Sequence, residues 1–254
     1  IPTLLQEQNS FAGVTNKLLR NDAQKICVAY DGMERFFPQE KIVKTGNPVR
    51  AGLIGGDRKE ALKYFSLPPT KKVLLVIGGS LGARTINRSI AAGLDAVFSA
   101  GYALIWQTGK VYFDECKQML DDYLSQHEGY ADSVYCRAFI DRMDLAYAAG
   151  DVVISRAGAS SISELCLLGK SCILVPSPNV AEDHQTHNAM ALVNHNAALL
   201  VRDADAEEEL VSKAVELLGD EQRCEDLQTN ILELAERDSA KRIAEEVIRL
   251  CKKQ

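Results

Sequence analysis

The chain has 254 residues, 46% hydrophobic and 25% charged, enough apolar material for one large globular domain or two smaller ones. A formal net charge of −6 argues against a nucleic-acid groove as the main surface, because neutralising a phosphate backbone takes clustered Lys and Arg. The seven cysteines form no C-x-x-C pair, and no run approaches the roughly 20 apolar residues that cross a bilayer, so a reduced, cytosolic chain with at most peripheral membrane contact is expected.

The opening Ile1-Pro2-Thr3-Leu4-Leu5 reads as the approach to a buried strand with no Met and no element before it, which fits a chain lacking most of an N-terminal domain. Residues 1–45 offer three strand candidates, Leu4-Leu5, Ile26 to Tyr30 and Lys41 to Lys44, too few to close a sheet of their own. They are expected to be the remnant of one α/β domain, joined at Thr45-Gly46-Asn47-Pro48-Val49-Arg50 to a complete one. From residue 71 on, β-rich runs (73–77, 103–106, 134–139, 152–154, 172–175, 198–201) alternate with helical stretches (about 83–98, 111–126, 142–149, 159–168, 184–194). Six strands in that rhythm predict an α/β fold with a doubly wound, Rossmann-like parallel sheet. Beyond Asp205 the pattern is helical throughout, ending in an amphipathic stretch from Ser239 to Leu250.

Three of the strand-to-helix connections carry chemistry. After the first long strand comes Gly78-Gly79-Ser80-Leu81-Gly82, offering bare backbone N–H groups, a hydroxyl and a helix start. That combination suits a phosphate or pyrophosphate, or is simply a tight turn. It is neither G-x-G-x-x-G nor a Walker loop with its Lys, so neither a dinucleotide nor an NTP is specified. After Val152-Val153-Ile154, the stretch Ser155-Arg156-Ala157-Gly158-Ala159-Ser160-Ser161 repeats the design, with Ser163 as a further hydroxyl and Glu164 one helical turn on. Glu164 can accept two hydrogen bonds from vicinal ribose hydroxyls or merely complement the helix dipole. The third connection, Pro176 through Asn188, places amide, hydroxyl and imidazole groups at a helix mouth, where they could read sugar hydroxyls. His184 and His187 beside Asp183 lack a third ligand of suitable spacing, so no metal is expected. Asp203-Ala204-Asp205 has the look of a short acidic metal-holding motif, but it precedes an acidic helix start, where N-capping and helix-dipole effects account for it. Arg50 is a candidate phosphate clamp, and Gln6-Glu7-Gln8-Asn9 clusters polar groups at a strand end. No nucleophile elbow and no Cys with a nearby His is present, so no covalent intermediate is expected.

Glu7-Gln8-Asn9 with Ala12-Gly13, Gly46-Asn47-Pro48-Val49-Arg50, Gly78-Gly79-Ser80-x-Gly82-Ala83, Phe139-Ile140, Ser155-Arg156-x-Gly158-Ala159 with Ser163-Glu164, and Asp183-His184-Gln185 with Asn188-Ala189 together resemble the MurG family. These are the N-acetylglucosaminyltransferases of bacterial peptidoglycan synthesis, and the likeness runs the length of the chain. It implies a GT-B architecture of two Rossmann-like domains facing a cleft. Residues 1–48 would be the remnant of the acceptor-side domain, 49–235 the domain that binds the UDP-sugar, and 236–254 a helix packing back toward the N-terminal domain. On the matching positions, Ile140 would meet uracil through its backbone and Glu164 the ribose. Ser80, Arg50 and the amides from Ala159 through Ser160 to Ser161 would hold the diphosphate, with Ile162 and Ser163 of the same turn also counted as substrate contacts. Gln185 and Asn9 would contact N-acetylglucosamine, and Gly78, Gly79, Gly82 and Gly158 would shape the phosphate loops.

The implied reaction is inverting transfer of N-acetylglucosamine from UDP-N-acetylglucosamine to the muramyl 4-hydroxyl of lipid I, on the cytoplasmic face of the bacterial inner membrane and without a cofactor or nucleic acid. Two positions depart from the family pattern. Gln6 stands where the family usually has His, and the family's glycine-rich N-terminal loops have no counterpart here, so no catalytic base is assigned. The chain is accordingly expected to hold donor without turning it over alone. A UDP-N-acetylglucosamine 2-epimerase of the same layout, or a non-catalytic UDP-sugar-binding module, are the alternative readings.

Overall fold

The computed structural model describes residues 1–252; the last two residues of the expected C-terminal segment, 253 and 254, lie outside the described residues. The three strand candidates of the first 45 residues do pair, contrary to the expectation that they are too few for a sheet. Strands β1 (Leu4–Glu7), β2 (Lys25–Val28) and β3 (Ile42–Lys44) form a parallel sheet in that order, with Leu5 opposite Ile26 and Ile26 opposite Ile42. A helix that the sequence pattern did not reveal, α1 (Val14–Leu19), crosses from β1 toward β2. This sheet has a small core of its own, built from Ala12, Ala23, Ile26, Val28, Met33 and Phe37.

The larger sheet contains β4 (Val73–Ile77), β5 (Ala103–Gln107), β6 (Val134–Arg137), β7 (Val152–Ser155), β8 (Ser171–Leu174) and β9 (Leu199–Leu200), all parallel in the order β6-β5-β4-β7-β8-β9. Every residue of β4, β5, β7 and β8 is buried, which explains their near-continuous apolar runs: helices cover both faces. Alternation within those runs divides the interior in two. Leu75, Ile77, Ile105, Val153 and Leu174 face a core shared with α2 (Arg58–Tyr64), α6 (Met143–Ala149), α7 (Ala159–Leu168) and α8 (His184–Val193). Leu74, Val76, Leu104, Trp106 and Ile154 face one shared with α3 (Arg84–Ala92), α4 (Leu94–Ser99), α5 (Phe113–Gln126) and α9 (Ala206–Gly219). Trp106 is fully buried, and its indole N–H donates to Asn87 Oδ1 at 2.9 Å, satisfying a polar group that would otherwise be costly there.

Where element ends differ from the sequence pattern, packing decides. The single helix expected over 83–98 is interrupted at Gly93, a position that α9 keeps free of a side chain, since a Cβ there would lie 2.6 Å from both Val211 methyls. The strand expected to reach Phe139 ends at Arg137, and the Ala138 carbonyl accepts instead from the Gly109 N–H at 3.1 Å. The tail continues as α10 (Glu221–Glu233), capped by Asp220, and α11 (Ser239–Lys252). Arg242 of α11 donates to the Lys44 carbonyl, Glu236 pairs with Lys44 Nζ at 3.1 Å, and Gly46 abuts Glu236 and Ser239, so the final helix returns to the end of β3.

Candidate nucleotide crevice

The six-stranded sheet starts in its middle, winds outward from β4 to β6, and then returns to β7 to wind the other way. Crossovers therefore leave in opposite directions on either side of the β4–β7 pair, opening a crevice outside the carboxyl ends of those two strands. Ile77 pairs with Ser155 across that boundary, so the loops 78–83 and 156–158 begin side by side. The sequence pattern marks both loops; their adjacency comes from the topology.

Neither helix that follows is capped by a side chain. Ala83 before α3 and Gly158 before α7 make no side-chain cap hydrogen bond, which leaves the first-turn amides of both helices available to an anion. The first loop is held from behind. Gly82 has φ +95, and a Cβ there would overlap the Thr108 carbonyl and lie 2.7 Å from Tyr112 Cδ2. The Lys110 N–H donates to the Ser80 carbonyl at 3.2 Å, and Gln107 Nε2 to the Gly79 carbonyl at 3.3 Å. Gly79, at φ +84, has nothing within 4 Å of a Cβ, and Ser80 is exposed. The loop is thus anchored at Gly82 and open at Gly79 and Ser80.

Arg156 does not point freely at the crevice. It donates to the Val175 and Pro176 carbonyls at 3.1 Å each and pairs with Asp203, whose other oxygen accepts from Thr85 Oγ1 at 2.9 Å. Asp203 therefore ties α3 to the loop before α7, and Asp205 pairs with Arg202. The capping expected of Asp203-Ala204-Asp205 is not what these carboxylates do, since the Asp205 side chain makes no cap bond. Among the described residues no group of three or more His, Cys, Asp and Glu is placed to hold a metal ion.

Glu164 and Arg50 come together at the mouth of α7. Glu164 Oε1 lies 3.4 Å from Arg50 Nη2, with the Glu164 side chain 14% exposed and that of Arg50 65%. Glu164 Oε2 accepts from the Tyr147 hydroxyl at 2.9 Å. Tyr147 is buried in α6, and its hydroxyl is pushed well above the usual phenolic range by that burial and by the Glu164 carboxylate, so it stays a proton donor. Sequence reasoning missed Tyr147; the only signal was a lone hydroxyl in the otherwise apolar second half of α6. Ile140 also differs from expectation in detail: its N–H is taken by Gln107 Oε1 at 3.0 Å, so its carbonyl is the backbone atom left for a base. The Ile162 side chain is buried in the core, and Ser163 Oγ donates to the Ala159 carbonyl at 2.9 Å, so both serve the helix start rather than present side chains to a ligand.

On the flank of the crevice, Asn188 of α8 links the two sheets. Its Oδ1 accepts from the Ser10 N–H at 2.9 Å, and its Nδ2 donates to Asn9 Oδ1 at 3.0 Å and the Ala157 carbonyl at 3.4 Å. Asn9 is fixed from its other side by Glu7, which is 3% exposed and accepts from the Asn9 and Gly13 backbone N–H groups and from Asn16 Nδ2. A carboxylate bonded in this way organises its loop. Asn47 is a second link, donating to the Gln8 carbonyl at 2.9 Å and Ser163 Oγ at 3.2 Å. Gln185 Oε1 accepts from the Ser177 N–H at 2.9 Å, which commits its carbonyl and leaves its NH2 without a hydrogen-bond partner among the described residues. The His187 ring stacks on Phe11 at 4.8 Å. Glu182 and Asp183, both at φ near +50, form a left-handed turn just before α8, a conformation of order 1 kcal/mol in cost that concentrates at functional loops. A hollow of about 430 Å³, lined by Gln6, Gln8, Asn9, Asn16 and His184, opens beside this flank.

Residues 73–247 match the model of the glycosyltransferase family 28 C-terminal domain. The chain is 56% identical over 256 residues to the UDP-N-acetylglucosamine–N-acetylmuramyl-(pentapeptide) pyrophosphoryl-undecaprenol N-acetylglucosamine transferase of Parabacteroides distasonis, covering all of this chain and 68% of the relative. It is 56% identical to the transferase of the same name from Phocaeicola vulgatus, covering 66% of that protein. The chain thus spans about two thirds of the length of the curated relatives it matches. Among solved structures, MurG of Acinetobacter baumannii superposes with a TM-score of 0.77 at 24% identity, over 98% of this chain and 67% of the other, a likeness of fold.

Proposed function

This chain belongs to glycosyltransferase family 28 and, within it, to the MurG family, and from that premise we propose that it binds UDP-N-acetylglucosamine in the crevice at the β4–β7 boundary. There it would serve transfer of the sugar to the muramyl-pentapeptide pyrophosphoryl-undecaprenol acceptor named in its relatives. The observation that carries the reading is the adjacency of two uncapped helix starts on paired strands, with Glu164 and Arg50 together at one of them.

In this reading the diphosphate lies across the first turns of α3 and α7, accepting from amides of Ala159, Ser160 and Ser161 and from the Ser80 hydroxyl. Gly78, Gly79 and Gly158 supply close backbone approach. Arg50, whose side chain is largely exposed, adds a guanidinium. When the acceptor 4-hydroxyl attacks the anomeric carbon with inversion, the bond to the diphosphate oxygen breaks and negative charge grows on the leaving UDP. Donors already fixed by the fold stabilise that charge without reorganising. Glu164 reads the ribose, the Ile140 carbonyl accepts from the uracil N3–H, and Asn9 and the Gln185 NH2 group meet N-acetylglucosamine. No helix among the described residues is long and apolar enough to cross a membrane. Because the acceptor named in the relatives is linked to undecaprenol, we place contact with it at the cytoplasmic membrane surface. The residues up to about 48 form the acceptor-side lobe and those from 49 to about 235 the donor lobe.

Calorimetric titration of the chain with UDP tests this. Glu164→Ala is expected to weaken binding at least tenfold, the worth of hydrogen bonds to a charged acceptor. Unchanged affinity would remove Glu164 from the nucleotide site.

A further inference from the structure

We infer that Tyr147 is a positioning residue for nucleotide recognition: its hydroxyl holds one oxygen of the Glu164 carboxylate so that the other is presented to the ribose. The inference rests on the proposed role of Glu164 and extends it to a residue that no motif marks. Tyr147 sits in α6, in the core beneath the crevice, at 2% exposure, so the fold fixes its ring. Its hydroxyl has one hydrogen-bond partner among the described residues, Glu164 Oε2 at 2.9 Å. A phenylalanine would fill the same volume, and a buried hydroxyl is costly unless it is bonded, so packing alone does not account for a tyrosine here.

The benefit lies in Glu164. A glutamate on the first turns of a helix has several rotamers, and binding must select one of them. A buried donor of fixed direction makes that selection in advance, and burial together with the carboxylate keeps the donor protonated at any working pH. Oε1 is then the atom left for ligand. Its protein neighbour is Arg50 Nη2 at 3.4 Å, on a side chain exposed enough to turn toward a phosphate while ribose hydroxyls take its place. Recognition of the ribose and recruitment of Arg50 to the diphosphate are thereby one exchange at one carboxylate oxygen.

The test compares UDP with 2′,3′-dideoxy-UDP by calorimetry on the whole chain, in the wild type, Tyr147→Phe and Glu164→Ala, with thermal unfolding of each followed in parallel. The wild type is expected to prefer UDP by at least about tenfold. Tyr147→Phe should bind UDP about five- to tenfold more weakly, bind the dideoxy nucleotide as the wild type does, and so lose most of the preference. A merely structural tyrosine would lower the unfolding temperature or weaken both ligands alike and leave the ratio intact, and that result overturns the inference. If Glu164→Ala abolishes the preference while Tyr147→Phe retains it, Glu164 reads the ribose without help from Tyr147, and the inference alone falls. If the wild type shows no preference, the ribose role of Glu164 falls and the inference with it.

Discussion

Gly79 and Gly82 stand three residues apart in one loop and make opposite demands, which allows the anchoring of the phosphate loop to be tested by a matched pair of alanine substitutions. Both have positive φ, +84 and +95, so each alanine carries a conformational cost of about 1–2 kcal/mol. At Gly79 nothing else is added, since no atom lies within 4 Å of the new methyl. At Gly82 the methyl overlaps the Thr108 carbonyl and lies 2.7 Å from Tyr112 Cδ2, and the next residue, Gly109, also runs close against the Gly82 backbone. Backbone cannot rotate out of the way as a side chain can, so an overpacking cost of about 1–3 kcal/mol is added. Urea unfolding is expected to show Gly82→Ala destabilised by about 2–5 kcal/mol and Gly79→Ala by about 1–2 kcal/mol. UDP titration of the folded variants should show a different order. Gly79→Ala retains most of its stability yet loses about tenfold in affinity, because its methyl occupies the open side on which the diphosphate is placed. Equal stability losses within about 0.5 kcal/mol would refute the anchoring argument, and unchanged UDP affinity in Gly79→Ala would refute the placement of the phosphates.

Two further expectations concern residues outside that loop. Asn188→Ala deletes a fully buried amide and strands the Ser10 N–H and Asn9 Oδ1, for an expected loss of about 2–4 kcal/mol in urea unfolding and faster hydrogen exchange at Ser10; unchanged protection of the Ser10 amide would show that Asn188 does not join the sheets. Burial pushes the thiols of Cys116 and Cys166 up to about 12 and that of Cys136 to about 11, so at pH 8 only about one part in 10⁴ of the first two is thiolate. With Cys27 and Cys172 also buried, native-state labelling at pH 8 should modify Cys251 first and half-buried Cys224 slowly; rapid loss of all seven thiols would contradict the packing.

The sequence pattern supports the larger sheet well, because strands covered on both faces must be apolar without interruption and the helices between them keep a 3.6-residue period. It supports the smaller sheet poorly. β1 and β3 are half-buried and only four and three residues long, too short for a period to emerge. α1 buries no residue at all and so leaves no apolar stripe. At the candidate site, glycines and serines are legible because bare backbone and hydroxyls at a helix start have few other uses. Side chains that act through a neighbour are not. Tyr147, Asn47 and Asn188 matter by what they touch across 17, 116 and 178 residues of sequence, and no local spacing encodes those contacts. The same limit applies to Arg156 and Ile140, whose partners Asp203 and Gln107 are brought near by sheet order.

The two sheets are joined in a way that bears on how the crevice keeps its shape. The core of the smaller sheet, around Ile26 and Phe37, is separate from both cores of the larger one. Much of what crosses between them is directional: Asn188 to Ser10 and Asn9, Asn47 to Gln8 and Ser163, Lys44 to Glu236, and Arg242 to the Lys44 carbonyl. Apolar contact rewards area and tolerates sliding, whereas a buried amide loses most of its net benefit of about 1 kcal/mol once its angles open. A joint made of such amides contributes modestly to stability and strongly to orientation. Asn188 shows the consequence, because one side chain touches Asn9 on the smaller sheet and the Ala157 carbonyl just before the helix start of α7. A rotation of one sheet against the other would move Asn9 relative to the α7 amides and break these bonds before it disturbed either core. The spacing between the proposed sugar contact and the proposed phosphate contacts is therefore set by a hydrogen-bonded side chain, and a substitution there should alter ligand geometry even where the fold survives.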